Sequence, residues 1–256
     1  MNKYFNYDPE LFKKGFKCNL KYEKLVGEIE KEGYTIIRNF FNDDLIQNLR
    51  DEFEKIYSNE GTLAGIEVSQ TKGIRRLSNL VNKSKIFKYL YLNEVLLTMV
   101  LLILKKPFKL SSLNGHDPLK GNGLQPLHPD WKYTYDGKNY VVNSIWMLDK
   151  FTIENGATRV IPKSHTFKKN IDEVIKNKIE DNANQKFLEG NPGDLAIYNS
   201  HLWHGGYLNI SGEKRRAFHC YYVSRTHPQQ TNQQKYLSES TINTLNILEK
   251  YILDVN

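Results

Sequence analysis

The chain has 256 residues, 39% hydrophobic and 12% aromatic, with 36 Lys+Arg against 29 Asp+Glu for a formal charge of +7, and two cysteines. That length and apolar share suit one domain with a real core and exclude a disordered chain. Two cysteines, Cys18 and Cys220, are too few for a disulfide framework and lack metal-binding spacing, so reduced thiols and a cytoplasmic setting are expected.

The opening MNKYFNYDPELFKKGFK lacks the uninterrupted apolar stretch of an export signal. The first helix is expected over Tyr22 to Lys31, followed by a short strand at Tyr34 to Arg38. A second helix runs from Asn42 to Tyr57, with Leu45, Leu49, Phe53 and Ile56 at helical spacing and Asn42 or Asp43 as its cap. Between Gln70 and Lys109 lie nine bases and one acid, +8, so this segment alone accounts for the chain's excess. A nucleic-acid partner is not expected: only the pI suggests one, and at +7 over 256 residues a lysine-rich solvated surface is the weightier reading. Lys72, Arg75 and Arg76 are read as attracting a small anionic substrate, and the lysines from Lys83 onward as a solvated helix face. Ser84 to Leu104 reads as a third helix. Its apolar run, Val95 to Leu104, is about ten residues, whereas a membrane span needs roughly 20.

From Phe108 the pattern changes to short β-branched and aromatic runs: Tyr140 to Leu148, Ala157 to Ile161, Asp194 to Tyr198 and Arg216 to Ser224. Turn signals lie between them at Asp136-Gly137, Asn155-Gly156, Pro192-Gly193 and Ser211-Gly212. Many short strands with such turns predict an all-β sandwich or barrel on a helical flank. Residues 1–107 form the flank and first strands, 108–225 the β core, and 226–256 a tail with a helix over Ser240 to Ile252.

The chemistry concentrates in two segments. In Gln125-Pro-Leu-His128-Pro-Asp130-Trp131, an extended backbone puts His128 and Asp130 on one face, because strand side chains repeat every second residue. The second, Asn191 to Gly206, ends a strand at His204 before two glycines. Two histidines and one carboxylate leave three octahedral positions open and suit non-haem Fe(II). Zinc takes the same ligand types but is ordinarily four-coordinate. His201 would face the opposite side, as a structural residue or a support for the ligands. His116, His165, His219 and His227 have no paired ligand nearby and are read as core or surface residues. Arg215 and Arg216 enter the last strand, where a guanidinium can clamp a carboxylate bidentately.

These residues in this order resemble the phytanoyl-CoA dioxygenase family of Fe(II)/2-oxoglutarate oxygenases: His128-Pro-Asp130, Trp146, Glu154-Asn-Gly-Ala-Thr158 running to Pro162-Lys-Ser-His165, Gly193-Asp194, and His204 followed by Asn209, Ser211 and Arg215. Glu32-Gly-Tyr34 through Phe41 is also similar to that family's opening, so the likeness spans roughly residues 22–225. The resemblance implies a double-stranded β-helix (jelly-roll) core with an N-terminal helical layer. It implies His128, Asp130 and His204 as iron ligands and Arg215 as the partner of the distal carboxylate of 2-oxoglutarate. Trp146 and Thr158 are implied at the cosubstrate, with Asn209 and Ser211 supporting the arginine turn. Gly206 stands where a hydroxyl residue is common, and Lys163 where a glycine is common.

The implied reaction consumes 2-oxoglutarate and O2, releases succinate and CO2, and hydroxylates a small polar or anionic metabolite. Desaturation, epoxidation and ring closure stay open. Retention of Asp130 argues against halogenation, for which related enzymes replace this carboxylate with a small residue. Gln125, Trp131 and Arg159 join Arg75 and Arg76 as candidate substrate contacts. The enzyme is expected as a monomer or homodimer. A non-catalytic jelly-roll binding module is the alternative.

Overall fold

The computed structural model describes residues 20–256, with side chains from residue 22 onward; the expectations for the opening segment and Cys18 lie outside the described residues. Helix α1 (Leu20–Glu32) leads into β1 (Tyr34–Ile37). Helix α2 (Asp43–Glu60) starts where Asn42 Oδ1 accepts the Leu45 N–H at 3.0 Å, and it buries Ile46, Leu49, Phe53 and Ile56 at helical spacing. After a connecting stretch comes β2 (Ile74–Leu77).

The third expected helix is broken. A 3-10 turn at Lys85–Phe87 passes into α3 (Lys88–Tyr91), and α4 (Glu94–Leu104) starts afresh because the Asn93 side chain caps the Leu96 N–H. No single helix among the described residues is long and apolar enough to cross a membrane. The lysines expected on a solvated face are partly engaged: Lys83 pairs with Glu60 and Glu67 and is only 15% exposed, Lys88 reaches the buried Glu249, and Lys109 meets Asp254.

The remaining strands are β3 (Phe108–Pro118), β4 (Val141–Met147), β5 (Arg159–Val160), β6 (Lys186–Phe187), β7 (Leu195–Asn199), β8 (His204–Gly205) and β9 (Ala217–Ser224). They form two antiparallel sheets of unequal size, one of six strands in the order β1-β7-β4-β9-β3-β2, the other of three in the order β6-β5-β8. This is a jelly-roll core with flanking helices, open rather than closed as a barrel. Helix α5 (Ile171–Val174) lies in the long β5–β6 connection. The expected tail helix is instead α6 (Gln233–Tyr236), α7 (Glu239–Ile242) and α8 (Ile247–Leu253). The break before α8 is a capping box: Asn246 Oδ1 accepts from Glu249 N and Glu249 Oε2 from Asn246 N.

Alternation along the large sheet separates its two faces. One face packs on the helical layer, where Phe218 meets Phe53 and Phe87 at ring distances of 5.8 and 4.9 Å. The other lines a cavity between the sheets. Three cross-strand rows pave it: Arg76 beside His116, Asn114 beside His219, and Ser112 beside Tyr221, which is opposite Asn143, itself opposite Tyr198.

Candidate metal centre and cosubstrate cavity

His128 and Asp130 lie in the extended connection between β3 and β4, and His204 opens β8. One ligand atom from each lies within 4.8 Å of the others. Asp130 Oδ1 is 3.6 Å from His204 Nε2. Each imidazole turns its Nδ1 to a backbone carbonyl at 2.8 Å, His128 to Pro126 O and His204 to Leu202 O. A carbonyl only accepts, so Nδ1 carries the proton and Nε2 keeps its lone pair for the centre. Burial holds the His204 imidazole below its usual titration range, opposing Asp130, and so favours the neutral form a metal requires. Asn143 Nδ2 approaches Asp130 Oδ2 at 3.4 Å. The donor set fits a divalent metal bound on one face.

The cavity running from this cluster has a volume of about 260 Å3. Among the described residues, Arg76 and Arg215 are the arginines without a carboxylate within ion-pair distance of their guanidinium, and both line this cavity. Arg215 is 6% exposed, its guanidinium rests on the Phe151 ring at 4.8 Å, and its Nε has no partner. Burial pushes its pKa down to about 10, which leaves it charged at neutral pH. Its backbone N–H is fixed by Asp117 Oδ1 at 2.9 Å. Arg76 donates to Ser69 Oγ at 2.6 Å and also has an unpartnered Nε.

Thr158 and Gln125 line the cavity. Gln125 Oε1 accepts the Gly206 N–H at 2.8 Å, and a Cβ at Gly206 would come within 2.5 Å of Gly123 O. The glycine is therefore enforced by the close approach of the 123–125 backbone, and no hydroxyl side chain fits there.

Several expected contacts lie elsewhere. Trp146 does not reach the cavity: strand alternation turns it to the helical layer, fully buried against Phe40 and Phe41 at 5.6 and 5.4 Å. Asn209 and Ser211, read as supporting the arginine turn, lie outside the cavity lining and in the turn before Arg215. Asn209 donates to Pro118 O and Glu213 O, while its Oδ1 accepts from Ser211 Oγ and Gly212 N. Arg159 points away from Thr158, fully buried and bound to the carbonyls of Gln125, Lys178 and Glu180. Arg75 is held by Glu54 and Asp117 and faces away from its neighbour Arg76. Trp131 stacks on Tyr140 at 4.8 Å and is met edge-on by His227, outside the residues lining the cavity.

Two histidines read as core or surface residues, His116 and His219, line the cavity, with rings 4.9 Å apart. Burial, reinforced by Arg215 and Arg76, pushes His219 down to about 3, and burial also keeps His116 neutral. The signal in the sequence was the period of two in Ala217, His219 and Tyr221. His201 faces away, between Tyr135 and Tyr140.

An open jelly roll carrying two histidines and a carboxylate on one face, with a buried arginine beyond them, defines the class: a cupin-like oxygenase fold. The family model for phytanoyl-CoA dioxygenase matches residues 29–217, and the chain belongs to that family of non-haem iron, 2-oxoglutarate-dependent oxygenases. It is 25% identical over 222 residues to dioxygenase cdmA of Talaromyces verruculosus, covering 80% of this chain and 73% of that one. It is 24% identical over 201 residues to 2-aminoethylphosphonate dioxygenase of uncultured bacterium HF130_AEPn_1, covering 74% and 77%. The structure of HygX from Streptomyces hygroscopicus, which holds nickel and 2-oxoglutarate, superposes with a TM-score of 0.68 at 17% identity, over 80% of this chain and 88% of that one.

Proposed function

We propose that this family member hydroxylates a C–H bond of a small polar molecule, with Fe(II) held by His128, Asp130 and His204 and 2-oxoglutarate anchored by Arg215. The observation that carries the reading is the shared cavity: a face of two Nε2 atoms and one carboxylate at one side, and two guanidiniums without a carboxylate at the other. Three protein ligands leave room for a bidentate cosubstrate and O2. Bound iron with these cosubstrates supplies an oxidant able to remove hydrogen from an unactivated C–H bond.

The chain's own residues orient and discharge. Pro126 O and Leu202 O fix the imidazole tautomers, and Asn143 steadies the Asp130 carboxylate. Arg215 meets the distal carboxylate, and Arg76 joins it in offsetting a dianionic cosubstrate, which moves Arg76 from the substrate to the cosubstrate. Neutral His116 and His219 give that anion hydrogen-bond donors without further charge. The retained Asp130 favours hydroxylation over halogenation, and a cytoplasmic setting remains part of the proposal.

The test is anaerobic loading with Fe(II), then addition of 2-oxoglutarate, O2 and candidate metabolites, with succinate and hydroxylated product measured together. Succinate release that needs Fe(II) and disappears in His128→Ala is expected. Equal turnover in that variant, or failure of the protein to bind 2-oxoglutarate in the presence of metal, overturns the reading. Desaturated, epoxidised or cyclised product would replace hydroxylation while leaving the oxygenase class intact.

A further inference from the structure

The cavity floor changes character along its length. Arg215 just before β9, and His219 and Tyr221 on it, face the cavity, while antiparallel β3 presents His116, Asn114 and Ser112 in the matching order. The neutral end is the one formed by Tyr221, Ser112 and Asn114. The metal cluster stands over that neutral end, since Asn143, which contacts Asp130, is the cross-strand partner of Tyr221.

What covers the neutral end is set by an irregularity. The β3–β9 register shifts between Leu110 and Ser112, a bulge that releases Ser111 from the ladder. Its freed groups capture the segment after β9: Ser111 O accepts from Thr231 N at 2.9 Å and Ser111 Oγ from Gln230 N at 2.7 Å. Gln230 is thereby laid over the cavity. Its Oε1 is taken by Ser112 Oγ at 2.6 Å and Asn114 Nδ2 at 3.2 Å, which leaves the Nε2 donors of this exposed, cavity-lining side chain for a ligand. Asn114 is 5% exposed, and its Oδ1 has no partner although its side chain lines the same cavity. An amide donor edge and an amide acceptor thus stand side by side, with no charged side chain in the pad. A buried acceptor left without a partner is costly, which marks Asn114 Oδ1 as a place for a ligand donor.

We propose that Gln230 and Asn114 form the recognition pad for the primary substrate, and that the group seated there is uncharged and both donates and accepts hydrogen bonds, as a lactam, carboxamide or vicinal diol does. A carboxylate or phosphonate would face Asn114 Oδ1, and an ammonium would face the Gln230 amide donors; each leaves one partner unmatched. This rests on the oxygenase reading, because the cosubstrate must occupy the cationic end for the substrate to be left the neutral one.

The full chain loaded with Zn(II) in place of iron and saturated with 2-oxoglutarate is titrated by saturation-transfer NMR against size-matched probes: 2-pyrrolidone, cis-1,2-cyclopentanediol, propionate, propylphosphonate and propylamine. The lactam or the diol should bind at least tenfold more tightly than the three charged probes. Gln230→Leu, and the isosteric Gln230→Glu, should weaken that binding at least tenfold while circular dichroism shows the fold retained. Tighter binding of a charged probe, equal binding to wild type and both variants, or no probe binding to a protein that does bind 2-oxoglutarate overturns the proposal. Failure of wild type to bind 2-oxoglutarate is the separate failure of the oxygenase reading.

Discussion

His128 and His204 exchange both backbone hydrogen bonds, His128 N to His204 O at 2.8 Å and His204 N to His128 O at 2.9 Å, and their rings stand 4.7 Å apart. The two imidazoles are therefore brought together by main chain alone, as a closely spaced antiparallel pair. His128→Ala should then keep its fold and thermal midpoint while metal affinity falls at least about 100-fold, beyond what loss of a supporting residue costs. Calorimetric titration with Fe(II) or Ni(II), beside a thermal melt of the metal-free protein, checks both halves.

Arg215 is placed by the Asp117 carboxylate and the Asn209 turn, and shielded by Phe151. Lysine would keep the charge but lose the planar two-donor fork. Arg215→Lys is expected to raise the KM for 2-oxoglutarate about 10- to 100-fold, the range for losing a charge-assisted hydrogen bond worth about 1.5–3 kcal/mol. A KM within twofold of wild type would remove Arg215 from the cosubstrate site.

Arg75 belongs to stability rather than to substrate attraction. It bridges Glu54 to the buried Asp117 and lies over the Phe53 ring at 5.3 Å. Arg75→Met leaves Asp117 with one partner fewer and should cost about 3 kcal/mol in denaturant unfolding. Charge reversal at the exposed Lys72 should stay within about 0.5 kcal/mol. A salt-dependent rise in substrate KM for Arg75→Met with unchanged stability would restore the steering role.

The buried His201, with Nε2 unpartnered, is pushed down to about 4 by burial, against the pull of Asp136. Between its ordinary value near 6.5 and about 4, the unfolded chain takes up a proton that the folded chain refuses. Stability from this group therefore falls as pH drops through that window, by up to about 1.4 kcal/mol per pH unit, and levels off below it. His116 and His219 add in the same direction. His201→Gln should flatten the acid limb of the thermal midpoint against pH by about one proton; an unchanged slope would place the titration elsewhere.

Local pattern made much of this molecule legible. The spacing of Leu49, Phe53 and Ile56 gives α2, and the alternation in His128-Pro-Asp130 gives two of the three clustered candidate ligands. What escaped depends on register between distant strands. Arg76, His116 and His219 come together only because β2 pairs with β3 and β3 with β9. No local window contains that. Trp146 shows the complementary limit: a matched position in the chain does not say which face of β4 the side chain takes. The helix breaks at Asn93 and Asn246 were written in the sequence as side-chain caps, but apolar runs on both sides masked them.

The two sheets differ in size for a reason that reaches evolution and design. The six-stranded sheet carries long strands and the helical core, so change there disturbs folding as a whole. Each strand of the smaller sheet has two residues, and most of that wall is connecting chain. Change in the connecting chain around Gln125 and Thr158, which line the cavity, can therefore reshape what the enclosure admits while His128 and His204 keep their shared backbone pairing. Such a division lets one oxidising scaffold serve many chemistries by replacing a wall and leaving the frame alone.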